Sequence, residues 1–318
     1  MILCALGAAL ALPLGAWASA SLATATADLQ AGKADEAVAL LSDVLRADPS
    51  NAEANNLLCR VEITLEQFDQ AAGHCEKAES LNSGNASYHL WLGRALGERA
   101  SRASFLSAYS LAKRTRAEFE TAVSLDPRNA DALSDLCEFY REAPGAVGGG
   151  MDKAEATAAK LDAVDAARGH EAHGEIAEKN KDLTVAEREF RAAISGAAHP
   201  AFQWMALASF YRRHERWAEM EAAVTSGAAA ARDRHAAVAL YNGASILART
   251  DRQPEQAIKM LTAYGASQDK TEEAPAFEAL TRLAKLYKKT GDMAGAERAR
   301  AAALALAHDY KPALEAFK

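Results

Sequence analysis

The sequence predicts an all-α solenoid of stacked helical hairpins, and three observations predict it. A pattern recurs with a period of about 34 residues, the length of one supersecondary unit that cannot bury its apolar face without a neighbour. Ala37, Leu41, Val44 and Pro49 are answered by Ala71, Cys75, Ala78 and Ser83, and Leu58-Cys59 returns as Leu92-Gly93. After Ala20, apolar residues fall at helical spacing and are interrupted roughly every twelve to seventeen residues by polar or glycine-containing turns. Alanine is abundant while aromatics make up only 7% of the chain, which suits closely packed helices.

The first twenty residues stand apart. Ile2 to Trp17 carry no charge, and the run ends in Ala18-Ser19-Ala20, the small-x-small pattern of a signal peptidase site. No Lys or Arg precedes the apolar core. The run is short for a membrane span, so the expectation is export to the periplasm or the medium, with cleavage after Ala20. A mature chain would then begin at Ser21 and form one solenoid over residues 21–318. It would keep Cys59, Cys75 and Cys137, an odd number in an oxidising compartment. Cys59 and Cys75 fall on the two helices of one hairpin turning near Gln67, so they are a disulfide candidate. The alternative is that all three are small core hydrophobes.

The hairpins are legible in order. The first turns at Ala31-Gly32-Lys33 and ends at Asp48-Pro49, where proline stops the helix and Ser50-Asn51 restarts the chain. The second turns at Glu66 to Asp69 and ends near Asn82-Ser83-Gly84. The third opens at Tyr88-His89-Leu90-Trp91-Leu92-Gly93 and closes at Asp126-Pro127. It is swollen by an insertion at residues 99–113. The fourth runs through Leu133, Leu136 and Tyr140 into the glycine-rich stretch 143–151, an enlarged loop, with helix resuming at Asp152 as N-cap. The fifth turns at Lys181-Asp182. The sixth follows Pro200 with Trp204, Leu207, Ala208 and Tyr211, turning near Glu215. The seventh, around Ala237 to Gly265, is less regular. The eighth carries Leu283-Ala284 and Tyr287, turns at Gly291-Asp292, and leaves 310–317 as a capping helix over the open end.

These residues resemble the tetratricopeptide repeat. Trp204, Leu207, Ala208 and Tyr211 after Pro200 match its bulky, Leu, small, aromatic first helix. Leu92-Gly93 and Leu283-Ala284, Tyr287, Gly291-Asp292 and Ala296 match its other landmarks. The resemblance implies a right-handed superhelix of about eight such hairpins. It also implies a concave groove lined by first-helix polar positions: Arg60, Arg94, Glu138, Arg141, Glu171, Glu175 and Glu178, then Arg212, Arg213, Arg249, Lys285, Lys288 and Lys289. The expected groove is therefore acidic and then basic along one surface, fit for a partner segment of complementary charge. The alternative is that these are solvated helix faces. The family's clamp for C-terminal carboxylates is incomplete, because Asn56 and Arg60 are followed one repeat later by Leu90 and Arg94.

The insertion from Arg99 to Tyr109 combines Arg102 with Phe105, Leu106 and Tyr109, the composition of an interaction hot spot. Its alternative is a helix extension packed on the next repeat. His170 and His173 are three apart, unlike the HExxH zinc motif, and fall on inward packing positions, so core histidines are expected and no metal. Gly145 to Lys153 lacks both the Gly-Lys-Ser/Thr order and the preceding strand of a phosphate loop. A net charge of −7 argues against nucleic acid. No nucleophile with a matched base and no paired-carboxylate site stands out. The function expected is a non-enzymatic adaptor of the periplasm or cell envelope without a cofactor, binding a protein or peptide and touching membrane only indirectly. The competing expectation is a carrier, with an apolar small molecule enclosed near Phe105, Leu106 and Tyr109.

Overall fold

The computed structural model describes residues 14–232 and 236–317. Residues 1–13 of the expected leader, Cys4 included, lie outside the described residues. Among the described residues the chain forms eight antiparallel hairpins. They are α1 (Leu14–Ala31) with α2 (Ala34–Ala47), α3 (Ala52–Thr64) with α4 (Phe68–Leu81), and α5 (Ala86–Arg102) with α6 (Phe105–Leu125). There follow α7 (Ala130–Glu142) with α8 (Met151–Asp162), α9 (Ala166–Lys179) with α10 (Leu183–Gly196), and α11 (Ala201–Arg213) with α12 (Trp217–Ala230). The last are α13 (Ala237–Arg249) with α14 (Pro254–Ala266) and α15 (Ala276–Thr290) with α16 (Met293–Leu304), then the short α17 (Lys311–Leu314). No helix of the described residues is long and apolar enough to cross a membrane.

The repeat is fixed by local chemistry. Asn51, Asn85 and Asn129 each cap a first helix, their side-chain oxygens accepting from the backbone N–H of Ala54, Ser87 and Ala132 at 2.9–3.0 Å. Between the two helices of a hairpin, one turn recurs. The N–H of Gln67 reaches the carbonyl of Glu62, and the same six-to-one bond joins Asp182 to Ala177, Arg216 to Tyr211, Arg252 to Leu247 and Asp292 to Tyr287. The residue before each donor is left-handed: Glu66, Lys181, Glu215 and Asp251 at φ 56–66°, and Gly291 at 88°. Only Gly291 takes that conformation freely; each of the others costs about 1–2 kcal/mol.

Close packing inside each hairpin follows from a small residue on the first helix. Cys59, Gly93, Cys137, Gly174, Ala208, Ala244 and Ala284 occupy equivalent positions and are buried. A methyl group at Gly93 would lie 2.5 Å from the Phe119 ring, so the contact tolerates no side chain there. Buried alanines on the second helices, Ala37, Ala71, Ala154, Ala186, Ala257 and Ala296, bring the partner helix equally near. The seventh hairpin, expected to be irregular, has two ordinary helices of 13 residues each. The third is lengthened in both arms, 17 and 21 residues, so the insertion extends the hairpin itself. In the fourth, the helix begins at Met151 after Gly150, and Asp152 sits in the first turn rather than capping it.

The two ends of the solenoid meet. One buried cluster joins Leu29, Leu41 and Leu57 of the first two hairpins to Phe277, Ala303 and Tyr310 of the last. The Asp35 N–H donates to the Leu306 carbonyl at 3.1 Å, and Gln67 Nε2 donates to Asp309 at 2.8 Å. Gly32 approaches the Ala276 backbone where a side chain would not fit. The C-terminal segment therefore fills a seam instead of capping a free end, and only Lys311–Leu314 of the expected 310–317 helix is helical. α1 runs through the expected cleavage point. Its buried residues Ser21, Ala25 and Leu29 all follow Ala20, and Trp17 packs partly against the seam.

Candidate protein-binding groove

First helices line the inner side of the closed superhelix. At the position after the small residue stand Arg60, Arg94, Glu138 and Glu175, one from each of four consecutive repeats. Arg94, Glu138 and Glu175 border two adjoining cavities. The larger, about 920 Å³, is walled by Ile63, Trp91, Phe119 and Phe139 and rimmed by Arg94, Glu138, Glu272 and Glu273. The second, about 710 Å³, includes Glu171, Glu175, Phe202 and Gln203.

Most of the expected charges are already partnered, which corrects the picture of an open acidic-then-basic stripe. Arg141 is mostly buried between Glu142 and Glu175. Glu178 accepts from Arg213 at 2.6–2.7 Å and meets the His214 ring at 2.8 Å. Burial works against the Glu178 charge, but the hydrogen bonds from the Arg213 guanidinium and the His214 ring hold its carboxyl below the usual range. The reason is geometric: opposite charges at matching positions of neighbouring first helices zip together across the repeats. Arg94 donates to Asp135 at 2.6 Å, and Arg60 is engaged by Glu272. Both guanidinium groups also lie over the Trp91 ring, at 5.0 Å for Arg60 and 4.5 Å for Arg94.

Three groups remain poorly compensated. Burial, with the Glu175 charge beside it, pushes the Glu171 carboxyl up to about 7, and its Oε1 is shielded with no hydrogen-bond partner. Glu138, exposed on the groove wall, is raised chiefly by the desolvating groove around it. Arg212 is lowered by burial and by Arg249 and Arg213, and its Nε is buried without an acceptor. These are the points where an incoming polar group gains most.

The insertion lies elsewhere. Phe105 and Leu106 are 85% and 81% exposed at the hairpin tip, with no packing on the next repeat. Arg102 bonds Glu98 and covers the Phe68 ring, and the Tyr109 hydroxyl donates to the Ala146 carbonyl at 3.3 Å. The insertion and the glycine loop are thus in contact. Phe105, Leu106 and Tyr109 line neither groove cavity. Cys59 and Cys75 are bonded, with Cα atoms 5.4 Å apart, while Cys137 is free and its thiol is raised by burial to about 11. His170 and His173 are half-exposed, not core, and pair with Glu189 and Asp162 on different helices at 2.8 and 3.0 Å. Gly174 holds the packing place against Phe190 instead.

Sequence reasoning missed Glu272 and Glu273. They lie in the connection between hairpins rather than on a first helix, and the only signal was the length of segment 267–275 beside connections such as 48–51 and 82–85.

A tetratricopeptide repeat family model matches residues 28–90. Over that segment the chain matches the repeat, and its helices stack as a solenoid of TPR-like hairpins. Its fold is similar to that of a thermophilic TPR protein of Thermus thermophilus, at 19% identity and TM-score 0.51, covering 61% of this chain and 98% of that one. It is also similar to a tetratricopeptide repeat protein from Parabacteroides merdae, at 14% identity and TM-score 0.50, covering 79% and 93%. No curated protein matches the chain. The repeats extend well past the matched segment, since the small-residue and turn positions recur through Ala284 and Gly291.

Proposed function

We propose that this TPR protein is a non-enzymatic interaction adaptor that holds a segment of a protein partner on its concave face. The observation that carries the reading is the row Arg94, Glu138 and Glu175 along two adjoining cavities, with aromatic walls at Trp91, Phe139 and Phe202. Apolar walls with a few placed charges give a segment both burial and register. Stacked repeats create this kind of extended binding surface by their curvature. The tip formed by Phe105, Leu106 and Tyr109 is a second contact point for the same partner, since two large apolar side chains stand free on an arm tied to the glycine loop.

The adaptor works outside the cytoplasm, in the periplasm or cell envelope. That placement is supported by the uncharged run Ile2 to Trp17 followed by Ala18-Ser19-Ala20, and by the Cys59–Cys75 bond, since disulfides persist in oxidising compartments.

In-cell photocrosslinking tests both parts. With a benzoylphenylalanine at Phe202, one envelope protein is expected to crosslink reproducibly, and the same protein from Phe105. Crosslinks from Phe105 alone would move the interface to the tip. No protein from either position, with a small molecule co-purifying instead, would replace the adaptor by a carrier.

A further inference from the structure

The connection between α14 and α15, residues 267–275, turns inward where connections usually run over the surface. It delivers two adjacent carboxylates into the groove. Glu272 forms a two-pronged pair with Arg60, Nε to Oε2 at 2.9 Å and Nη2 to Oε1 at 2.5 Å, with both side chains mostly buried. Such fork-to-fork pairs carry geometric specificity as well as energy. Glu273 borders both cavities and lies in the field of Arg94. Arg60 and Arg94 occupy equivalent places in consecutive repeats and share one indole, Trp91. Arg60 thus holds Glu272 directly, while Arg94, bonded to Asp135, extends its field to the neighbouring Glu273 of the same strand.

The strand is a divided occupant. Its C-terminal end is anchored by the Tyr264 hydroxyl donating to the Ala274 carbonyl, and its first turn is closed internally by the Lys270 ammonium on the Ser267 carbonyl. Its middle is less well served. The Thr271 hydroxyl is buried without a partner, and Glu273, itself exposed toward the cavities, has its carboxyl held above its ordinary range by the desolvating groove around it, with Asp131 and Glu272 adding like charge and Arg94 and Arg168 opposing. A segment supplying the same two carboxylates from outside would keep the Arg60 fork and relieve that arrangement.

We propose that residues 267–275 are an autoinhibitory strap, a built-in occupant of the groove whose Glu272-Glu273 pair yields to an acidic partner segment bearing two adjacent carboxylates. This rests on the groove reading above and adds the chemistry of the partner and the device that gates it.

The test uses the full chain and a fluorescein-labelled peptide carrying residues 267–275. A Glu272→Gln/Glu273→Gln variant, its strap uncharged, is expected to bind the peptide at least ~10-fold more tightly than the wild type, the penalty for a site that is only about a tenth free. Adding Arg60→Gln is expected to abolish the gain. Equal binding to wild type and variant, no binding to the variant, or equal binding of a Gln-Gln peptide each overturns the proposal. Should the variant lose its melting transition, hydrogen exchange of the wild type decides. Residues 267–275 must exchange faster at saturating peptide, and unchanged protection overturns the strap. Phe202 crosslinks of equal yield in wild type and variant would remove the strap while leaving the groove reading intact. Loss of those crosslinks in both proteins would remove the groove reading and the strap with it.

Discussion

Removing the Cys59–Cys75 bond is expected to loosen one hairpin and leave the others in place. The bond closes a sequence separation of 16 between α3 and α4. Chain-entropy reasoning gives about 3 kcal/mol for a loop of that size. Both sulfurs are fully buried in a cluster with Ala71, Leu92 and Leu96. Cys59→Ala with Cys75→Ala therefore keeps the site apolar and removes chiefly the constraint. A solenoid's stability is a sum of repeat and neighbour terms, so a single unfolding midpoint is a poor readout and a local one is needed. Amide hydrogen exchange supplies it. About 3 kcal/mol corresponds to roughly 150-fold faster opening, to be seen in α3 and α4 and in the facing side of α5. Reduction of the wild type should reproduce the change, and Cys137→Ala should not. Acceleration below about three-fold, or acceleration spread evenly over all hairpins, would refute the reasoning.

Three further outcomes follow from other contacts. Gly93→Ala should destabilise by up to about 2 kcal/mol, because the clash with Phe119 exceeds the helix-propensity gain, whereas Gly73→Ala, with open space around it, should stabilise by up to about 1 kcal/mol; paired melting curves compare the signs. Glu171 is faced by Glu175, Asp165, Arg168 and Gln203, and its folded carboxyl titrates near 7 against an ordinary 4.5. Between those values the unfolded chain has released a proton that the folded chain retains, so this group costs stability as pH rises through the window. Glu171→Gln should therefore raise stability at pH 8 and leave it unchanged at pH 4; an equal effect at both would contradict the assignment. Tyr310→Ala removes a ring stacked edge-on against Phe277 at 4.8 Å. It should cost about 3–5 kcal/mol at the seam and speed exchange in α1 and α2 at the far end of the sequence. Unchanged α1–α2 protection would mean that the ends do not support each other.

The hairpins were legible because each depends on residues close in sequence. Asn51, Asn85 and Asn129 announce their helices, and the small residue at Cys59, Gly93 or Ala208 announces its neighbour. The turns were placed correctly even where Glu66, Lys181 and Glu215 adopt a left-handed backbone without glycine, because the helices on either side impose the bend. The histidines were misplaced. His170 and His173 turn to Glu189 and Asp162 on neighbouring helices, and Gly169, Ala172 and Gly174 take the inward places.

The groove was legible only by position. Arg60, Arg94, Glu138 and Glu175 follow from repeat register, but their partners do not. Whether Arg141 faces solvent or Glu175 depends on how neighbouring repeats are rotated, and nothing local encodes that angle. The helices, their pairing and the two swollen hairpins are written in the chain itself, since caps, turns and small residues act within one repeat. The closure of the superhelix, the seam of Phe277 and Tyr310 against Leu41, and the placement of Glu272 on Arg60 emerge only on assembly. Those depend on small rotations summed over eight hairpins, which bring residues from opposite ends of the chain to one place.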